Sequence, residues 1–278
     1  MIELPPGWII IAGAFILPLT RGPLRHLAML ALPLLALTMI WTMPADAQWH
    51  IPFLDYQLTL LEFSAVGKVF ATVFALMTLV GGIFAMRTAS TLELSAAFLY
   101  AGSAIGITSC GDLITLFIYW EMMALGSTAV ILAAGTASAY RASMRYLIMH
   151  AFGGCVLLTG IVWHLYSTGS NDFTQLALQG PAQWLILIGF LVNVGAPPFS
   201  AWIADAYPEA SPSGAVFLSA FTTKTAVFTL LVAFPGTGIL IPIGCFMIFY
   251  GIIYALLEND ARRILAYSIV NQVGFMVT

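Results

Sequence analysis

The sequence predicts an all-α fold: a polytopic transmembrane helical bundle of about nine helices plus the start of a tenth. Three observations carry this. Of 278 residues, 61% are hydrophobic and 8% charged, whereas soluble domains carry about 25% charged residues. That much apolar surface exceeds what one soluble core hides, so the surplus faces lipid. Apolar stretches of about 17–25 residues recur along the whole chain. Finally, Lys and Arg cluster in alternate connections between those stretches.

Taken in order, spans 1, 2 and 3 are expected at about residues 6–20, 26–43 and 63–86. Spans 4, 5 and 6 follow at about 92–109, 113–134 and 142–166. Spans 7, 8 and 9 follow at about 181–203, 213–234 and 237–257, and a tenth begins near Ile264. The start, Met1-Ile-Glu-Leu-Pro-Pro-Gly, is acidic rather than basic, which argues against a cleaved signal peptide.

Charge tests this map. Arg21, Arg25, Arg87, Arg141, Arg145, Arg262 and Arg263 fall at the 1–2, 3–4, 5–6 and 9–10 connections. The 2–3, 4–5, 6–7 and 8–9 connections hold no Lys or Arg. Such alternation places the N-terminus outside and the Arg-bearing ends in the cytoplasm, with a cell (inner) membrane as the setting. The 7–8 connection is neutral to acidic and is inside only by counting. Lys68, near an outer surface, reads as a snorkelling side chain. The net charge of −3 gives no reason to expect nucleic acid. Cys110, Cys155 and Cys245 match no metal spacing or disulfide framework and read as packing residues.

Two ionisable groups fall near mid-membrane: Glu121 in Phe117-Ile-Tyr-Trp-Glu121 and Lys224 in Phe221-Thr-Thr-Lys224. Each costs about 2.5–3.5 kcal/mol there on insertion scales, so each must face the bundle interior, water or the other. One reading is an ion pair that only fixes packing. The other is a proton relay: burial disfavours both charged forms and pairing restores them, so a pair that opens and closes switches proton affinity.

Span 7 contains Asn193-Val-Gly-Ala-Pro197-Pro198. The two prolines deprive the carbonyls of Asn193 and Val194 of helical donors. This is either a simple kink or a hydrated break, and polar Asn193 favours the hydrated break. His150, about two turns into span 6, is either a relay near neutral pH or a hydrogen-bonded core histidine. No Gly-rich phosphate loop, metal cluster or nucleophile–base arrangement is present in the sequence, so no cofactor is implied and the chain is not expected to be an enzyme by itself.

At these residues the chain resembles the antiporter-like proton-conducting membrane subunits: those of Mrp-type cation/proton antiporters, nearest the D-type subunit, and those of complex I and membrane-bound hydrogenases. The matching segments are Phe117-Ile-Tyr-Trp-Glu121, Pro198-Phe-Ser-Ala-Trp-Ile-Ala-Asp205-Ala-Tyr-Pro-Glu-Ala, Leu218-Ser-Ala-Phe-Thr-Thr-Lys224 and Leu256-Leu-Glu-Asn-Asp-Ala-Arg-Arg263-Ile-Leu-Ala-Tyr267-Ser.

The resemblance implies that Glu121 and Lys224 match the glutamate and lysine of spans 5 and 8. Asn193 stands where many members carry a lysine, and Ser200 where a histidine often follows Pro-Phe. It also implies two inverted five-helix repeats. On that basis residues 1–90 form N-terminal spans, 91–235 the first repeat with its broken span 7, and 236–278 the start of the second repeat.

The expected function is proton, or coupled monovalent cation/proton, translocation within a multisubunit membrane complex. The expected partners are other membrane subunits, a chain supplying the second repeat, H⁺, Na⁺ or K⁺, and lipid. The alternative is a non-conducting structural subunit of such a complex; an organic-solute transporter has little support.

Overall fold

The computed structural model describes residues 4–44 and 46–278, so the first three residues of the acidic start lie outside the described residues. Among those described, the first helices are α1 (Pro6–Ile16), α2 (Pro23–Thr42), α3 (Ala65–Ala85) and α4 (Thr91–Ser109). They are followed by α5 (Leu113–Leu132), α6 (Ala137–Thr168), α7 (Pro181–Val194) and α8 (Ala201–Ala206). The last are α9 (Pro212–Ala220), α10 (Thr222–Ala233), α11 (Leu240–Leu257) and α12 (Ala261–Val277). Among the described residues, seven stretches are long and apolar enough to cross a membrane, α9 and α10 counting together as one.

Three expectations need correction. The fold is not all-α, because β1 (Gln48–Phe53) and β2 (Tyr56–Glu62) pair as an antiparallel hairpin. There, polar Gln48, His50, Gln57 and Thr59 alternate with apolar Trp49, Ile51, Leu58 and Leu60, the period of a strand. Span 7 is two pieces, α7 and α8, as its expected break requires, whereas span 8, expected as one helix, is also two, α9 and α10, meeting at Phe221. Span 6 starts earlier than expected: α6 runs 32 residues, about 48 Å at 1.5 Å per residue, so it outruns the hydrocarbon layer. Arg141 and Arg145 therefore sit on the first turns of α6 rather than in a loop.

Helix α4 is the axis of the bundle, buried at nearly every position from Glu93 to Ser109. Helix α1 crosses it at backbone contact. A Cβ on Gly7 would lie 2.6 Å from the carbonyl oxygen of Gly102 and 2.9 Å from the nitrogen of Gly106. This is the small-residue spacing that membrane helices use to approach closely. Helices α2, α3 and α11 instead expose Leu27, Val69, Phe84, Phe249 and Leu256 outward, as lipid-facing surfaces do. Cys110 is buried, whereas Cys155 and Cys245 lie on the outer surface of the bundle.

The two ends differ. At one end the hairpin, the α4–α5 turn and the segment after α6 are stitched together. Thr59 donates its amide to Asp112 Oδ2 (2.6 Å), and Gly111 donates to the Thr59 carbonyl (3.0 Å). Asn171 donates its side-chain amide to Asp112 Oδ1 (2.9 Å), and Phe173 donates its backbone amide to the Gly111 carbonyl (2.9 Å). The arginines gather at the other end. Arg145 on α6 pairs with Asp205 on α8 (2.7 Å), and Arg262 on α12 donates to the carbonyls of Pro208 (3.0 Å) and Ala210 (3.1 Å). The 7–8 connection thus shares an end with the arginines, as counting spans requires. Lys68 reaches the carbonyl of Met43, the C-cap of α2 (3.5 Å).

Candidate translocation site

Helix α7 ends before its prolines. Gly195 takes the left-handed conformation (φ 78°, ψ 34°) that closes helices. Its amide donates to the Val192 carbonyl (3.1 Å), and the amide of Ala196 donates to the Leu191 carbonyl (3.0 Å). A side chain at Gly195 would be strained by its φ and would place a Cβ 2.5 Å from Ile203 Cδ1. The break expected at Pro197 and Pro198 is therefore present, but glycine sets it and the prolines only prevent resumption. Trp202 Nε1 donates to the Val192 carbonyl (3.0 Å), so α8 folds back onto the cut end.

Asn193, on the last turn of α7, is fully buried, and neither its oxygen nor its nitrogen has a hydrogen-bond partner. Such orphaned groups cost about 1–3 kcal/mol each, so each calls for an explanation. Glu121, midway along α5, also keeps a buried, unpartnered Oε1. Both lie over one turn of α6. A Cβ on Gly153 would sit 3.6 Å from Asn193 Oδ1, and one on Gly154 would collide with Glu121 Oε1. Gly154 thus clears the α6 surface for the carboxylate from α5, while Gly153 makes room for Val192 of α7, whose Cγ1 a Cβ would meet at 2.9 Å, with Asn193 Oδ1 in ordinary contact beside it.

His150 occupies the preceding turn of α6. Its Nδ1 lies 3.0 Å from the Tyr146 carbonyl, which only accepts, so the network assigns the proton to Nδ1 in the neutral ring. Nε2 is then a free acceptor, buried and unpartnered. The ring stacks on Tyr146 (centroids 3.9 Å apart) and meets Trp202 edge-on (4.7 Å). His150 is thus held like a core residue while keeping one nitrogen open.

Lys224 bonds to backbone rather than directly to Glu121. Its Nζ donates to the carbonyl of Ser219 (2.8 Å), across the interruption at Phe221. Among the described residues the ion pairs are Arg145–Asp205 and Arg263–Glu258; Glu121 and Lys224 form no direct pair. The reason lies in the break: it frees a carbonyl within reach of the ammonium, which a continuous span 8 would not. Thr222 beside it donates its amide to Tyr100 Oη (2.8 Å), and the two hydroxyls lie 2.6 Å apart. Tyr146 Oη donates to Ser127 Oγ (2.9 Å) and lies 3.4 Å from Thr222 Oγ1.

These tyrosines, Trp202 and the Gly153–Gly154 pair were not singled out from the sequence. The glycine pair was visible as two helix-weakening residues inside a long apolar run. The tyrosines carried no spacing signal.

The transmembrane family described as NADH:quinone oxidoreductase/Mrp antiporter matches residues 110–278. The chain belongs to that family. Its relatives include the D-type Na(+)/H(+) antiporter subunit of Alkalihalophilus pseudofirmus, 28% identical over 259 residues, covering 82% of this chain and 50% of the relative. The N-type NADH-quinone oxidoreductase subunit of Francisella tularensis subsp. holarctica is 28% identical over 199 residues, 63% of this chain and 41% of that one. The chain therefore spans half or less of these relatives' length.

The antiporter-like fold recurs in the Mrp complex of Dietzia sp. DQ12-45-1b, with a TM-score of 0.86 and 22% identity over 98% of this chain and 33% of that one. It recurs also in an archaeal membrane-bound sulfane sulfur reductase, with a TM-score of 0.84 and 21% identity over 99% of this chain and 64% of that one. Family membership and the apolar spans make the chain a multi-pass membrane protein.

Proposed function

We propose that the chain translocates protons, or exchanges protons for a monovalent cation, as one subunit of a larger membrane complex. One observation carries this reading. Glu121, His150 and Asn193, from three helices, keep unpartnered buried polar atoms around a single turn of α6, beside a broken helix. Unpaired polar groups in a membrane interior mark ion paths.

The access route from the Arg-bearing end would be the cavity of about 410 Å³ lined by Arg262, Gln272, Tyr207 and Ser219, the residue whose carbonyl holds Lys224. A proton arriving there meets Lys224. Release of the ammonium from Ser219 toward Glu121 is the switching step of this reading. Residues 91–235 then act as the first repeat and 236–278 as the start of an inverted second. In support, the α4–α5 pair starts at the arginine end and the α11–α12 pair at the opposite end. The positive-inside bias puts the N-terminus outside, and the setting is a cell (inner) membrane.

A non-conducting structural role is the second reading, and the Lys224–Ser219 contact with no Glu121 pair favours it. Glu121→Gln, which keeps shape and removes charge, separates the two. Flux in reconstituted vesicles falls by roughly 10²-fold at equal assembly if Glu121 carries protons. Unchanged flux with reduced assembly would leave only the scaffold.

A further inference from the structure

In an unbroken helix the amide of Thr222 would bond to the carbonyl of Leu218, and that of Thr223 to the carbonyl of Ser219. Here the Tyr100 hydroxyl stands inside the first of these rungs, accepting from the Thr222 amide at 2.8 Å and lying 3.4 Å from the Leu218 carbonyl. The Lys224 ammonium occupies the second rung, at the Ser219 carbonyl. A side chain inserted into the hydrogen-bond ladder is one of the few identified causes of a sharp helix break. No Pro or Gly lies at Phe221 to supply another.

The hydroxyls have one direction that satisfies the short contacts together. Ser127 gives its proton to the Met123 carbonyl (2.8 Å), so it accepts from Tyr146. Tyr146 then accepts from Thr222 Oγ1, and Thr222 Oγ1 accepts from Tyr100. Tyr100 accepts from the Thr222 amide. The row therefore begins on a backbone N–H and ends on a backbone carbonyl, neither of which gives up or takes a proton. All four side chains are buried. They tie the start of α10 to α4, α5 and α6.

We propose that Tyr100, Thr222 and Tyr146 are positioning residues. Tyr100 holds the α9–α10 break open, and the row fixes the base from which Lys224 swings while itself carrying no proton. The link to Lys224 rests on the translocation reading above; the brace itself does not. Switching then belongs to the lysine side chain alone, because the helix beneath it is pinned on three sides.

The test uses the assembled protein in vesicles, with hydrogen exchange of the 221–224 amides and flux read on the same samples. Tyr100→Phe should slow exchange of the Thr222 amide by about tenfold as the severed rung closes on the Leu218 carbonyl, and Thr222→Val should change exchange across 221–224 by a similar factor. Each should also lower flux several-fold. Thr222→Ser, which keeps the hydroxyl, should restore both, and the double variant should be no worse than either single.

Unchanged or faster exchange of the Thr222 amide in Tyr100→Phe, or Thr222→Ser behaving like Thr222→Val, would overturn the brace. Abolished flux in Tyr146→Phe with normal exchange would show the row to be a proton wire. Should Tyr100→Phe not assemble, the Val–Ser contrast at the near-isosteric position 222 still decides. Exchange needs no gradient, so the brace stands or falls on it even where wild-type flux is nil, an outcome that would sink the translocation reading alone.

Discussion

Lys224 bonds to Ser219, five residues earlier, and so takes a carbonyl that the backbone of its own helix would otherwise occupy (2.8 Å). A half-buried charge is thereby satisfied by the C-terminal end of α9, where the helix dipole favours a cation. The contact is a single hydrogen bond to a neutral oxygen. It leaves Lys224 able to exchange partners without disturbing a second charge.

Lys224 substitutions follow from this. Lys224→Ala removes the only Lys or Arg read near the midplane and should abolish flux at equal assembly. Lys224→Arg keeps the charge but does not deprotonate in proteins. Flux in vesicles should be lost in both, and normal flux in Lys224→Arg would mean that this residue never releases its proton.

Gly154→Ala should act through Glu121. The added methyl meets Oε1 and displaces the carboxylate, without touching charge. Misplacement of about 1 Å can cost up to 10²-fold in rate. Flux should fall roughly tenfold or more, with assembly retained. A Gly154→Ala/Glu121→Gln double variant should be no worse than Glu121→Gln alone; additive losses would place the effect of Gly154 elsewhere.

Asp112 should matter for stability and not for transport. It accepts from the amides of Thr59 and Thr115 and from Asn171 Nδ2. Asp112→Asn turns one acceptor toward a donor and should cost about 1–3 kcal/mol. The expected readout is a lower melting temperature in detergent, with flux per assembled molecule unchanged.

Topology is open to direct labelling. Leu54 at the hairpin tip and Asn259 before α12 are both exposed, at opposite ends of the bundle. With the native cysteines replaced, Leu54→Cys should react with a membrane-impermeant maleimide on intact cells, and Asn259→Cys only after permeabilisation. The reverse pattern would invert the orientation.

The helical bundle was legible because lipid imposes length and apolarity on each span, and the arginine pattern fixed which connections share an end. The hairpin was missed because Trp49, Ile51, Leu58 and Leu60 add to apolar content while their alternation covers only a few residues. The break in span 7 was visible in Asn193–Pro198, although the terminator proved to be Gly195. The break at Phe221 was not visible, because Tyr100, far off in sequence, supplies the hydroxyl that makes it. Glu121, His150 and Asn193 were found by polarity alone, and the turn of α6 that gathers them emerges only from packing.

The bonds linking Thr59, Gly111, Asp112, Asn171 and Phe173 have a mechanical consequence. They sew three alternate connections, α2–α3, α4–α5 and α6–α7, into one seam, so the helices leaving it are held together there. Opposite the seam, buried Glu93 accepts from the hydroxyls of Ser211 (2.8 Å) and Ser213 and ties the start of α4 to α9, whereas Arg145–Asp205, between α6 and α8, is an exposed ion pair and cheaper to undo. At that rim the α6–α8 side is therefore more easily loosened than the α4–α9 side. Under the proposed translocation, water would enter first between α6 and α8, on the side where the weaker fastening stands.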